Sequence, residues 1–78
     1  MKLSSELRVR GGGVSQVITT VEQAITMIDK ELPPEIIKLP RWTFARALLV
    51  EVLRTKKSRD MKAAVRQLEQ ALRNEKWV

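Results

Sequence analysis

The sequence predicts a small α+β domain, a β-hairpin packed on three α-helices in the order β-β-α-α-α. Three observations predict it. Apolar residues alternate near the N-terminus and run into a triglycine. A helix-capping box stands at Thr20–Gln23. Three apolar stripes at helical spacing then follow, separated first by prolines and then by a cationic turn.

The first strand is Leu3 to Arg10. Leu3, Leu7 and Val9 fall on one side, and Glu6, Arg8 and Arg10 on the other. Period two over this length reads as a strand covered on one face. Gly11-Gly12-Gly13 supplies the backbone freedom of a tight reversal. Val14 to Thr19 is rich in β-branched residues and pairs back as the second strand. Two strands alone are marginal in water, so helices must cover the hairpin.

Thr20-Val21-Glu22-Gln23 is a capping box, with Glu22 in the first turn where the helix dipole favours an anion. Val21, Ala24, Ile25, Ile28 and Leu32 form one stripe, which predicts a first helix over about 21–31. Pro33-Pro34 stops it. Glu35 to Leu39 reads as an apolar linker packed on the domain. Pro40 suits the first turn of a second helix. Its stripe is Trp42, Ala45, Leu48, Leu49, Val52 and Leu53, with Phe44, Ala47 and Val50 spreading apolar character round the circumference. A helix so broadly apolar is central or buried at an oligomer contact. Ser58 is read as the N-cap of a third helix, with Asp60 in its first turn. Met61, Ala64, Val65, Leu68 and Leu72 give its stripe, and Trp77 folds back over its end. The expected core is Leu7, Val9, Ile18, Ile25, Ile28, Leu48, Leu49, Val52, Val65 and Leu68.

Residues 1–78 are expected to form one domain, and a chain of this size buries only roughly 60% of the surface its unfolded form exposes. With no cysteine it has no disulfide and no thiolate metal site to support the core. No stretch approaches the roughly 18–20 apolar residues of a membrane-crossing helix, and the N-terminus lacks the apolar run of a signal peptide. The expected location is the cytoplasm, with no membrane partner.

Histidine, cysteine and tyrosine are all missing from the 78 residues. The usual metal ligands, the neutral-pH proton shuttle and the thiol nucleophile go with them. The triglycine is followed by a strand and by no lysine before Lys30, so it is a turn and not a phosphate loop. Glu22, Asp29, Glu31 and Glu35 lie on solvated faces and form no catalytic pair. Serine and threonine have no histidine to act as base. The chain is therefore expected to be no enzyme and to use no metal or cofactor.

Two surfaces remain. Residues 1–40 carry five bases (Lys2, Arg8, Arg10, Lys30, Lys38) against five acids, whereas residues 41–78 carry ten bases against four acids. The whole excess of +6 lies in the second half. It concentrates in Arg54, Lys56, Lys57, Arg59 and Lys62, across the turn between the second and third helices. Such a cluster serves a nucleic acid or an acidic partner, or is simply solvated. A helix–turn–helix reader uses cations on phosphates in this way, but this turn lacks the customary glycine and the third helix has no base-reading set beyond Arg66 and Gln70. The second surface is apolar. Ile37, Trp42 and Phe44 either complete the core or mark a protein contact, the sharper form of which is a homodimer through the second helix.

The order of elements resembles that of a family of short bacterial proteins, domain of unknown function 982. The residues that carry the resemblance are Thr20-Val21-Glu22-Gln23-Ala24, Pro33, Ala45 and Ala47, and Ala63 and Ala64, over about residues 5–75. The chain departs from the family at Val50 and Val52, at Lys56-Lys57 and at Val65 and Leu68. The family has no established activity, so the resemblance implies a fold class and a bacterial source and assigns no functional residue. The expected role is a protein-interaction module binding a protein partner or a second copy of itself, with nucleic acid as the alternative.

Overall fold

A computed structural model describes residues 1–11 and 14–77, with Val14 described by its backbone alone. The chain forms β1 (Lys2–Gly11), β2 (Val14–Thr20), α1 (Val21–Lys30), α2 (Pro34–Ile37), α3 (Pro40–Thr55) and α4 (Ser58–Asn74). The α+β class and the hairpin-then-helices order are those the sequence predicts. Gly12 and Gly13, read as the tip of the reversal, lie outside the described residues.

The strands pair antiparallel, with Leu7 opposite Ile18 and Arg8 opposite Val17. Toward the N-terminus the register shifts. Lys2 to Leu7 in β1 spans what Thr20 to Ile18 spans in β2, so β1 bulges there. Leu3, Leu7, Val9 and Ile18 face the helices, and Arg8, Arg10 and Val17 face solvent.

The capping box forms as read. Thr20 Oγ1 accepts from the Gln23 N–H at 3.0 Å, and Gln23 Oε1 accepts from the Thr20 N–H at 3.2 Å. It also accepts from the Thr19 N–H and hydroxyl, tying the strand end to the helix start. α1 buries Val21, Ala24, Met27 and Ile28. Ile25, expected in the core, is half-buried, because the inward face centres on Ala24 and Ile28 and leaves Ile25 on its flank. The expected linker contains a helical turn. Pro34 takes the first helical position, and the Pro33 carbonyl accepts from the Ile36 and Ile37 N–H groups at 3.0 and 3.1 Å. As at Pro40, the missing N–H of proline costs nothing at this first helical position.

α3 and α4 form an antiparallel hairpin. At one end Arg41 pairs with Glu75 and the Trp42 and Trp77 rings lie 6.0 Å apart. At the other end the Thr55 hydroxyl donates to Asp60 Oδ2 at 2.5 Å. The turn is Lys56-Lys57, with Lys56 left-handed at φ 57° and its N–H bonded to the Val52 carbonyl. Ser58 is not the N-cap. Lys57 holds that place, and no side chain caps the helix. α3 buries Trp42, Ala45, Leu49 and Val52, while Leu48, expected in the core, is half-buried beside α3's outer face. α4 buries Met61, Ala64, Val65, Leu68, Ala71 and Leu72. The α4 set and Trp42, Leu49 and Val52 of α3 join one cluster with the hairpin residues and α1.

The end of α4 shows how Trp77 folds back. The Trp77 N–H reaches the Leu72 carbonyl and the Lys76 N–H the Arg73 carbonyl, both at 3.0 Å, with Lys76 left-handed at φ 61°. This is a Schellman closure with lysine where glycine is usual. It lays Trp77 over Gly11, and the Trp77 carbonyl accepts from the Arg10 N–H at 2.6 Å. Gly11 sits at φ 131°, and a Cβ there would come within 2.3 Å of Trp77 Cδ1. Gly11→Ala is therefore expected to cost about 1–3 kcal/mol, from backbone strain and a displaced indole. Chemical denaturation reads this directly, and a cost near zero would mean that Trp77 does not rest there.

Candidate interaction surfaces

No polar or charged residue among those described is buried, so no titratable group sits in a dry pocket where its chemistry would be tuned. No group of three carboxylates stands where it could hold a metal ion among the described residues, and no helix there is long and apolar enough to cross a membrane. What the fold offers is surface.

The apolar candidates separate. Trp42 is 0% exposed and lies under Trp77, so it completes the core and presents nothing to a partner. Its burial follows from its place on the α3 stripe with Ala45, Leu49 and Val52. Ile37 is half-buried against the core. Phe44 alone of the three is exposed, at 55%, and Val50 joins it at 43%. These two stand six residues apart on α3, about 120° around its axis, with Ala47 between them. Spaced at i, i+3 and i+6, Phe44, Ala47 and Val50 form one narrow exposed apolar strip on α3.

The cationic candidates converge. Arg54, Lys56, Lys57, Arg59 and Lys62 are all exposed around the α3–α4 turn. Arg54 is engaged by Glu51 on its own helix, which draws the Glu51 carboxyl below its ordinary value and raises the Arg54 guanidinium. The acid inside the cluster, Asp60, points back to Thr55 on the α3 side. The outer side of α4 therefore shows Arg59, Lys62 and Arg66 with no carboxylate between them. They line a shallow hollow of about 390 Å³ with Ser58 and Ala63. About two turns past Arg66, Arg73 continues the line and lies 3.7 Å from Glu69.

The cluster seen in the sequence is thus the upper end of a longer basic face. Arg66 and Arg73 belong to it as much as Lys56 and Lys57 do. In the sequence Arg66 stands apart from the cluster, and Arg73 stands farther still. The seven-residue interval Arg59–Arg66–Arg73 was the signal that joins them. The helix–turn–helix analogy fails on geometry. Such motifs cross at about 90–120° so that the second helix projects. Here α4 folds back along α3.

The remaining ion pairs brace the fold. Arg46 Nε lies 2.7 Å from Asp29 Oδ1, joining α3 to α1, and the Met1 ammonium lies 2.8 Å from Glu22 Oε1. Hydrogen bonds from these cations hold the Asp29 and Glu22 carboxyls below their ordinary values. Depressed carboxyl values in the folded state mean stability that is present above the unfolded value and lost as pH falls through the folded one. A modest loss is expected as pH drops below about 4, because these pairs are exposed. Thermal melts across that range check it. Asp29→Asn should flatten the acid limb, and an unchanged limb would remove Asp29 as a contributor.

Comparison of the chain with family models, with curated proteins and with solved structures finds no match.

Proposed function

We propose that the protein is a non-enzymatic interaction module of the bacterial cytoplasm that docks a negatively charged protein partner on the outer face of α4. The observation that carries this reading is the inward turn of Asp60 to Thr55, which leaves Arg59, Lys62 and Arg66 uncompensated around one hollow. Like charges held together on a rigid helix repel one another, and an anionic partner relieves that repulsion. We further propose, from the resemblance carried by Thr20–Gln23 and the order of elements alone, a kinship with the domain of unknown function 982 family.

Nucleic acid is the second reading, favoured by the same uncompensated cations. The test titrates the full chain with labelled poly-L-glutamate, duplex and single strands at two salt concentrations. The docking reading expects polyglutamate to bind, more weakly as salt rises, and Arg59→Glu with Arg66→Glu to abolish it. A duplex that binds tighter than polyglutamate, with a log–log salt slope near −3.6 for about four cations, would hand the face to nucleic acid. Replacing Lys56 and Lys57 should then flatten that slope by about two contacts' worth. Binding of none of the probes at the lower salt would end both readings.

A further inference from the structure

We infer that the partner element recognised by α4 is an acidic α-helix lying alongside it, with carboxylates repeating every seventh residue. The inference rests on α4 being the contact face and adds the shape and register of what binds there.

Arg59, Arg66 and Arg73 recur at intervals of seven residues on α4. Seven residues advance a helix by about 10.5 Å and return the side chain to within about 20° of the same direction. The three arginines therefore form a nearly straight rail about 21 Å long. Lys62 stands beside its first interval. A second line runs parallel to it, made of Ala63 and Gln70, again seven residues apart.

The two lines differ in kind. The arginines are long and charged. Ala63 is short and exposed, and it lines the hollow together with Arg59, Lys62 and Arg66. Four residues at i, i+3, i+4 and i+7, as Arg59, Lys62, Ala63 and Arg66 are, enclose the hole into which a partner helix inserts a knob, and charged residues flanking such a seam set partner choice.

The straightness of the rail decides between polyanions. Phosphates of one duplex strand advance about 3.4 Å per nucleotide along the axis while winding away around it, so a straight rail meets few of them. An α-helix laid parallel to α4 repeats its own side chains every 10.5 Å or so and stays opposite the rail along its length. The face also carries no aromatic residue on which a base of a single strand could stack. An acidic helix with one apolar side chain opposite Ala63 satisfies both lines at once.

Two alanine-based peptides of identical composition test this, each of about 21 residues so that it holds helical structure. In one, glutamates recur every seventh residue with a leucine set between them. In the other the same residues are shuffled out of that spacing. Titrated into the full chain at low salt, the spaced peptide should bind at least roughly tenfold tighter than the shuffled one. Arg66→Glu should abolish that advantage, and a spaced peptide carrying lysines for glutamates should recover binding to this variant. Ala63→Arg adds a cation yet fills the hollow. It should weaken the spaced peptide while strengthening the shuffled one. Arg66 and Ala63 are both exposed, and circular dichroism verifies that the variants stay folded. Equal binding of the two peptides, each lost in Arg66→Glu, would overturn the helical register and keep α4 as an anion-binding face. Binding of neither peptide, or binding indifferent to Arg66→Glu, would overturn that face as well. A duplex that outcompetes the spaced peptide would overturn the inference in favour of nucleic acid.

Discussion

Trp42→Ala is expected to remove about 3–5 kcal/mol of stability, the range for deleting a large buried aromatic. Small domains hold roughly 5–15 kcal/mol in all, so this single change removes at least about a fifth of the reserve and all of it at the lower end. Trp42 belongs to the buried cluster and lies against Trp77. Its indole N–H is buried without a hydrogen-bond partner among the described residues. That orphan donor sets up a contrast. Trp42→Phe leaves a cavity of a few tens of Å³, costing roughly 1 kcal/mol, but it also removes an unsatisfied donor worth about 1–3 kcal/mol. The phenylalanine variant should therefore be close to neutral while the alanine variant is close to unfolded. Urea denaturation of the pair decides it. Equal losses in the two would show that the indole N–H has a partner after all.

Leu68→Ala carries the second large effect, about 2–5 kcal/mol. Leu68 is 0% exposed at the middle of α4's inner face. With a slope of about 1–3 kcal/mol/M for a small domain, the urea midpoint should fall by about 1–2 M. Gln70→Ala, two residues on and outward, should stay within about 0.5 kcal/mol. The contrast fixes the rotational phase of α4, on which the basic face depends. If Gln70→Ala proved the costlier change, Leu68 would face outward and the rail would be buried.

These expectations show where the sequence was informative. The hairpin, the Thr20 cap and the inner faces of α1 and α4 were legible because local rules and burial agree there. Period two matched a covered strand, and Leu68 and Leu72 stood opposite Arg66 and Arg73. The α3 helix was harder. Its apolar residues run nearly all the way round, so periodicity could not say whether Trp42 or Phe44 faced the core. Only packing against α4 and Trp77 separates them. The cap at Ser58 was misread for a related reason. Serine there satisfies a local preference, but Ser58 is already helical, and Lys57, still extended, takes the boundary. The candidate surface was half legible. The run from Arg54 to Lys62 is dense in sequence and stood out, whereas Arg66 and Arg73 are dilute in sequence and adjacent only in space. The inward turn of Asp60 depends on a tertiary bond to Thr55 and left no mark in the pattern.

The left-handed lysines at the ends of α3 and α4 have a further consequence. A residue with a Cβ held in that region costs about 1–2 kcal/mol relative to one without. Glycine at position 56 would relieve that strain and remove a cation from the upper end of the basic face in the same step. Stability and surface charge are thus exchangeable at one residue, and the chain carries the charge. The α3–α4 turn is the place where a more robust fold and a stronger grip on an anion pull in opposite directions.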